Sequence, residues 1–188
     1  MAKEFEARYL DIDVIGTRKK ILELGFIQIY PETLMTRIVY SLPIKDLTKH
    51  VRLRNEGNKI TLTFKHEESQ KLDGVNEVEI VVDNFNATNQ FLIACGFKEF
   101  AHQETKREKY IKDNIEATID TWPGLNPFIE IEAKDSKLVE EFSEKLGFSI
   151  SNASFGRVTD VYEKVLGISP EEFNAFKHLT FDNFPKKK

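Results

Sequence analysis

Apolar and polar residues alternate along most of this chain with the two-residue period of a β-strand. Phe5, Ala7 and Tyr9 fall on one side of the first stretch, with Glu4, Glu6 and Arg8 on the other. Ile38 and Tyr40 oppose Arg37 and Val39, and Val51 and Leu53 oppose Arg52 and Arg54. Ile60, Leu62 and Phe64 oppose Lys59, Thr61, Thr63 and Lys65, while Val78 and Ile80 oppose Glu77 and Glu79. Arg107 and Lys109 share a face. Ala117 and Ile119 oppose Glu116, Thr118 and Asp120, and Ile129 and Ile131 oppose Phe128, Glu130 and Glu132. Side chains two apart on a strand project the same way. Nearly every strand therefore has one apolar face and one charged face.

Helical stretches interrupt the strands. The spacing predicts helices over Val14 to Leu24, Ala87 to Cys95 and Ser136 to Leu146, the first with Asp13 as N-cap and Gly25 just past its end. On the first, Ile15, Ile21, Leu22 and Leu24 form the apolar side; on the second, Phe91, Leu92 and Cys95 do. Each helix ends in a Gly-Phe pair: Gly25-Phe26, Gly96-Phe97 and Gly147-Phe148. Strand, helix and Gly-Phe thus recur three times, too irregularly for a solenoid. A strand is expected over Met35 to Leu42. Hairpins are expected around Glu56-Gly57-Asn58 and around Asp113-Asn114, and a capping box at Ser169-Pro170-Glu171-Glu172 opens a short terminal helix.

The total is about eight strands and three or four helices, an α+β chain. Eight antiparallel strands can close into a β-barrel wide enough for a small ligand. In that geometry the helices cover the outside and the charged faces line a tunnel. In the other geometry, an open sheet, the charged faces are merely solvated.

At 188 residues the chain suits one domain. The net charge of -4 argues against nonspecific nucleic-acid binding. A single cysteine, Cys95, excludes an internal disulfide and is expected to be buried. No apolar run is long enough to span a membrane and the N-terminus has no signal-peptide pattern, so a cytoplasmic location is expected. Oligomeric state is not readable from the sequence.

The candidate chemistry lies in the charged faces. Glu is a poor strand former, yet Glu-x-Glu occurs at Glu4-Phe5-Glu6, Glu77-Val78-Glu79 and Glu130-Ile131-Glu132. Like charges so close call for a cation among them. Carboxylate clusters hold hard divalent ions such as Mg²⁺ or Mn²⁺. Arg and Lys hold phosphate oxygens. Both in one cavity would suit metal-assisted phosphoryl or nucleotidyl transfer. A P-loop is absent. Zinc finds no ligand spacing among Cys95, His50, His66, His102 and His178. Trp122 and Tyr110 are candidates for stacking a base.

Taken in order, several short motifs resemble one known family. They are Glu4-Phe5-Glu6-Ala7-Arg8, Val51-Arg52-Leu53-Arg54, Leu62-Thr63-Phe64-Lys65, Glu77-Val78-Glu79, Arg107-Glu108-Lys109-Tyr110, Asp120 and Phe128-Ile129-Glu130-Ile131-Glu132. The set is similar to the CYTH superfamily, the triphosphate tunnel metalloenzymes, over residues 1–168, with 169–188 a helix and tail of the same domain. The resemblance implies an eight-stranded antiparallel tunnel. It implies metal-site carboxylates at Glu4, Glu6, Asp120, Glu130 and Glu132. It implies triphosphate contacts from Arg8, Arg37, Arg52, Arg54, Lys65, Arg107 and Lys109, with Arg8, Lys65 and Arg107 acting on the reacting phosphate. Thr61, Thr63, Glu77 and Glu79 would line the tunnel.

The activities implied are hydrolysis of a triphosphate (tripolyphosphate, thiamine triphosphate or ATP) or cyclisation of ATP to cyclic AMP and pyrophosphate, the lyase reaction. Two departures stand out. The family signature's Lys is Arg8 here, which keeps its charge but cannot give up a proton. A Lys often found two residues before the position of Arg107 is Thr105 here. These departures favour the competing expectation, a module that captures polyphosphate or nucleotide without turnover. A third reading is a solvated charged sheet with a protein partner.

Overall fold

The structure, a computed structural model, describes residues 2–44, 46, 48–67 and 75–184, and the side chains of residues 2–4, 67 and 75 lie outside that description. The strands are β1 (Ala2–Tyr9), β2 (Ile27–Ser41), β3 (Lys49–Asn55), β4 (Ile60–Glu67), β5 (Val75–Val82), β6 (Lys98–Lys112), β7 (Ile115–Thr121), β8 (Phe128–Ala133) and the short β9 (His178–Leu179). The helices are α1 (Val14–Glu23), α2 (Phe85–Ala94), α3 (Ser136–Leu146), α4 (Val158–Leu166) and α5 (Pro170–Ala175). No helix among the described residues is long and apolar enough to cross a membrane.

The first eight strands follow one another as β2-β3-β4-β5-β1-β8-β7-β6, every pairing antiparallel. β6 then returns to pair with β2, from Ile27 opposite Ile111 to Ser41 opposite Lys98. Each of the eight therefore has two neighbours, and the strands run around an interior. The expected antiparallel tunnel with helices outside is the fold of the chain. β2 and β6 are each 15 residues long and register shifts interrupt their pairing. Such irregularities bend strands and sharpen their twist, which a ring needs.

Two apolar clusters hold helices against the outside. α1 and α3 cover β1, β7 and β8, where Ile21, Val139, Phe142 and Leu146 meet Ala7, Ile119, Ile129 and Ile131. α2 covers β2 and β3 through Leu92, against Ile38, Tyr40, Val51 and Leu53. The Gly-Phe recurrence has a simple cause. Gly25, Gly96 and Gly147 take φ of 82°, 90° and 92°, the left-handed turn that ends a helix, which disfavours a side chain. The following Phe then turns inward, and Phe26 stacks on Phe142 at 4.4 Å between ring centroids. A third cluster closes one end of the ring. There Val161 and Tyr162 of α4, Phe173 of α5 and Leu179 of β9 pack on Trp122, Leu125 and Phe128.

Some expectations are corrected. Ile15 and Leu22 are exposed, at 78% and 53%, and α1 buries Thr17 and Ile21 instead. The buried side of α1 is the edge of the predicted stripe nearest Thr17, Ile21 and Leu24, which packs with α3. Cys95 is exposed, because it caps α2 at the solvent end. The outward residues Val78 and Ile80 of β5 are exposed, lying beyond the cover that α2 supplies. Tyr110 is a core residue, 1% exposed, hydrogen-bonded to Glu108 and Gln28 on the outer side of the ring. It is therefore unavailable to stack a base inside.

Candidate functional site

Strand register decides which charges meet. Glu6 on β1 lies opposite Glu132 on β8, which lies opposite Glu116 on β7. One row over, Arg8 lies opposite Glu130, then Thr118, then Lys109 on β6. Asp120 lies opposite Arg107. On the other half of the ring, Arg52 lies opposite Thr63 and then Glu79, and His50 opposite Lys65 and then Glu77. Both halves turn these residues inward, and all of them but Thr63 and Thr118 line one cavity of about 890 Å³. That volume is in the range of small-molecule sites.

The acidic half is held by guanidiniums. Arg8 Nε donates to Glu130 Oε1 at 2.8 Å and its Nη2 closes on the same oxygen. Arg107 Nε donates to Asp120 Oδ1 at 2.6 Å, and its Nη2 reaches Asp120 Oδ2 and, at 3.1 Å, Glu130 Oε2. Burial would raise the Glu130 carboxyl, but Arg8 and then Arg107 hold it well below the usual carboxylate range. Glu6 goes the other way: burial and then Glu130 raise it, outweighing Arg8 and Lys65. Asp120 is likewise raised, chiefly by burial.

The basic half is more finely buttressed. Arg54 Nε and Nη2 donate to Glu56 Oε1 at 2.9 and 2.5 Å, and Thr61 adds a bond to the same oxygen at 3.2 Å. Thr63 donates to Glu79 at 2.9 Å and accepts from Arg52 Nη2 at 3.2 Å. Thr61 and Thr63 are fully buried beneath the charged heads and do not form the cavity surface. Lys65 pairs with Glu77 at 2.5 Å and Lys109 with Glu116 at 2.5 Å. Burial would raise Glu77, and Lys65, followed by Arg52, more than reverses it. Burial, then Lys65 and Arg52, pushes the His50 imidazole down to about 3.

Of the residues expected at the site, Glu6, Arg8, Arg37, Arg52, Arg54, Lys65, Glu77, Glu79, Arg107, Lys109, Asp120, Glu130 and Glu132 line this one cavity. The Glu4 side chain lies outside the described residues; its backbone pairs with Val75. Tyr30, His50, Glu56 and Gln103 also line it and were not expected there, and Glu116, expected on the charged face without a stated role, joins them. For His50 a signal existed, since it continues the inward alternation of Arg52 and Arg54. Trp122 lines the cavity, but the Arg37 guanidinium covers its ring at 4.1 Å.

The donor set bears on whether a cation would suit the acidic half. Its carboxylate oxygens are hard donors, suited in kind to Mg²⁺ or Mn²⁺. As placed, no three acidic, His or Cys side chains among the described residues form a ready cation site. Arg8 and Arg107 hold Glu130 and Asp120 in that arrangement.

The sequence matches the CYTH domain family over residues 15–157. The chain belongs to the CYTH domain family. A relative from Methanocaldococcus jannaschii, whose name proposes an adenylate cyclase, is 30% identical over 109 residues, 54% of this chain. This chain spans 62% of that relative's length. Among solved structures, a Vibrio parahaemolyticus protein named in the same way superposes with a TM-score of 0.72 at 13% identity, covering 88% of this chain and 98% of that one. A Hippeastrum protein, described as having a dominant triphosphatase activity, superposes with a TM-score of 0.56 at 14% identity over 89% of this chain and 96% of that one. At such identities the structural likeness shows the shared fold alone.

Proposed function

We propose that this CYTH-domain protein hydrolyses a small triphosphate, with Mg²⁺ or Mn²⁺ on the acidic side of the cavity. One observation carries the reading: a dense set of inward cations faces a row of carboxylates across a single enclosed space. Arg8, Arg52, Arg54, Lys65, Arg107 and Lys109 would grip the phosphoryl oxygens. Guanidinium and ammonium groups that now meet carboxylates make the same charge-assisted bonds to phosphate. Thr61, Thr63, Glu56, Glu77 and Glu79 would keep these cations in place from behind.

Glu6, Glu130 and Glu132, with Asp120 and Glu4, would hold the divalent ion. When bound, that ion supplies Lewis-acid polarisation of a phosphoryl oxygen. The chain's own residues do the rest. Arg8 and Arg107 orient the chain of phosphates along the acidic rows. Water attacks the terminal phosphorus and the bond to the bridging oxygen breaks. Arg8, Lys65 and Arg107 offset the charge that builds on the leaving oxygens.

The second reading is cyclisation of ATP, in which the ribose 3′-hydroxyl attacks the α-phosphorus and pyrophosphate leaves. The adenylate cyclase names of the relatives favour it. Hydrolysis is preferred because neither aromatic expected to hold a base is free to do so: Tyr110 is in the outer core and Trp122 is covered by Arg37. The dominant triphosphatase activity of the Hippeastrum protein points the same way. The test is incubation with tripolyphosphate, thiamine triphosphate and ATP, with Mg²⁺ or Mn²⁺, and identification of every product. Orthophosphate release supports hydrolysis, and cyclic AMP supports the second reading. Tight binding without any product would leave a capture module and overturn both.

A further inference from the structure

The two halves of the ring are covered unequally on the outside. Two helices, α1 and α3, cover β1, β7 and β8, but among the described residues α2 alone covers β2 and β3. The apolar outer face does not stop at β3. It continues over β4 and β5 in three cross-strand pairs, Ile60 with Val82, Leu62 with Ile80 and Phe64 with Val78. Ile80 is 54% exposed and Val78 46%. A row of such pairs is what a sheet presents to a covering element. Two strands span about 10 Å across a sheet, the width of one helix. The ring thus has room for one more helix beside α2.

α2 has a bare flank next to that gap. Its ten residues, Phe85–Ala94, include no Asp, Glu, Lys or Arg, in a chain where those types make up 31%. Asn89 marks one flank, where it accepts from the Tyr40 hydroxyl of β2 and donates to Glu99 of β6. Phe91 comes two residues later, about 200° around the helix, and so lies on the opposite flank. The strand order β6-β2-β3-β4-β5 puts that flank on the side of β4 and β5. Phe91 is 66% exposed there.

A two-fold axis lets each copy supply what the other lacks. The Phe91 flank of one α2 lies over β4 and β5 of the partner, and the partner returns the same contact. Charge selects a second copy over other occupants. The helix and the three sheet pairs carry no charged side chain, so an acidic peptide, a nucleic acid or a lipid headgroup finds no counter-charge on them. Each surface instead matches the other, as the charge-depleted centre of an interface requires. Area agrees. Val78, Ile80 and Phe91 leave roughly 300 Å² of apolar surface bare, the size of patches that mark interaction sites. A reciprocal contact uses both the helix flank and the sheet face of each copy, and with its rim approaches the ~800 Å² per partner of a stable interface.

We propose that the protein forms a two-fold dimer in which Phe91 of each copy packs on Val78 and Ile80 of the other. The proposal is independent of what the cavity binds.

The test is sedimentation velocity on the full chain over roughly 1 to 100 μM. It compares wild type, Phe91→Glu, Ile80→Lys and an equimolar mixture of the two variants. Both positions are exposed, so both variants should fold, which circular dichroism checks. Wild type should be a dimer. Each variant alone should dissociate about ten-fold more readily or worse, since it sets a charge against an apolar contact twice over. The mixture should regain the dimer, because one of its two contacts opposes the new acid to the new base and the other is native. A wild type that stays monomeric overturns the proposal and leaves the face to a different protein. A dimer that survives both substitutions lies elsewhere and overturns it as well. Variants that stay monomeric when mixed overturn the packing of Phe91 on Ile80.

Discussion

Arg8 and Glu130 face each other across the β1–β8 pairing, and the guanidinium closes on a single carboxylate oxygen, with Nε at 2.8 Å. Arg107 takes the other oxygen of the same carboxylate at 3.1 Å. One acid therefore bridges two buried cations from different strands, and Asp120 supplies Arg107 with a second carboxylate. Glu130→Gln should lower stability by about 3 kcal/mol, because it takes from Arg8 its nearest counter-charge, while Arg107 keeps Asp120. Urea unfolding measures this. The folded-state pKa of Glu130 is depressed, so its contribution is present above the ordinary value of 4.5 and lost as pH falls. In Glu130→Gln that part of the acid destabilisation should be missing.

Glu132 should behave differently. It lies in register between Glu6 and Glu116, three carboxylates abreast. Like charges directly opposite destabilise strand pairs. Glu132→Gln relieves that repulsion and should lower the melting temperature less than Glu130→Gln does in the absence of divalent cations. Its stabilisation by added Mn²⁺ should shrink, since cation binding stabilises by mass action. A melting temperature as far below wild type as that of Glu130→Gln without cation would count against this role.

His50 gives the pH dependence its upper window. The residue lies opposite Lys65 and Ser41, faces inward with Arg52, and is pushed down to about 3 by burial and by those cations, with Arg157 and Arg37 adding to them. The unfolded chain takes up a proton at its ordinary value of 6.5, and the folded chain does not. Stability is therefore present above 6.5 and is lost as pH falls below it. Melts from pH 7 to pH 5 should show this loss in wild type and much less of it in His50→Gln, the difference between the two separating His50 from the raised carboxyls of Glu6 and Asp120.

A contrast comes from the outer face. Arg18 on α1 donates to Glu108 Oε2 at 2.9 Å, and Glu108, 3% exposed, also accepts from the Tyr110 hydroxyl at 2.8 Å. Arg18→Ala leaves a buried carboxylate with one partner. It should cost about 1 kcal/mol, moderated by the exposure of Arg18. Hydrolysis rates and tripolyphosphate affinity should not change, because this pair lies outside the ring. A loss of activity at full folding would show that the two faces communicate.

The alternation of side chains is what the sequence makes legible. Period two alone separates Arg8, Arg52, Lys65 and Glu130 from the apolar residues beside them, because a strand offers only two sides. Glu56 is not legible in this way. It sits in a turn, where alternation carries no information, yet it is 3% exposed and holds Arg54. α4 is equally hidden, since Val161 and Tyr162 gain an apolar face only from Trp122 and Phe128 lying beneath them. The full lengths of β2 and β6 are masked by the register shifts that break their pattern. Arg37 is legible as inward, but its bond to Gln103 is not, because a neutral partner leaves no trace in the charge pattern. The Glu-x-Glu repeats are also unequal in the fold. Glu77 and Glu79 brace the basic half through Lys65 and Thr63, while Glu130 ties two strands of the acidic half together.

The place of β1 in the ring has a consequence for biosynthesis. Its first residues pair with Val75–Glu77 and its last with Ile129–Ala133. A ribosome therefore delivers this strand before the other seven of the ring, and its second partner, β8, emerges last of the eight. Until then β1 offers an unpaired edge that other nascent chains can meet. Glu6 and Arg8 on that strand place charges of both signs on the waiting edge, which discourages pairing with the wrong neighbour.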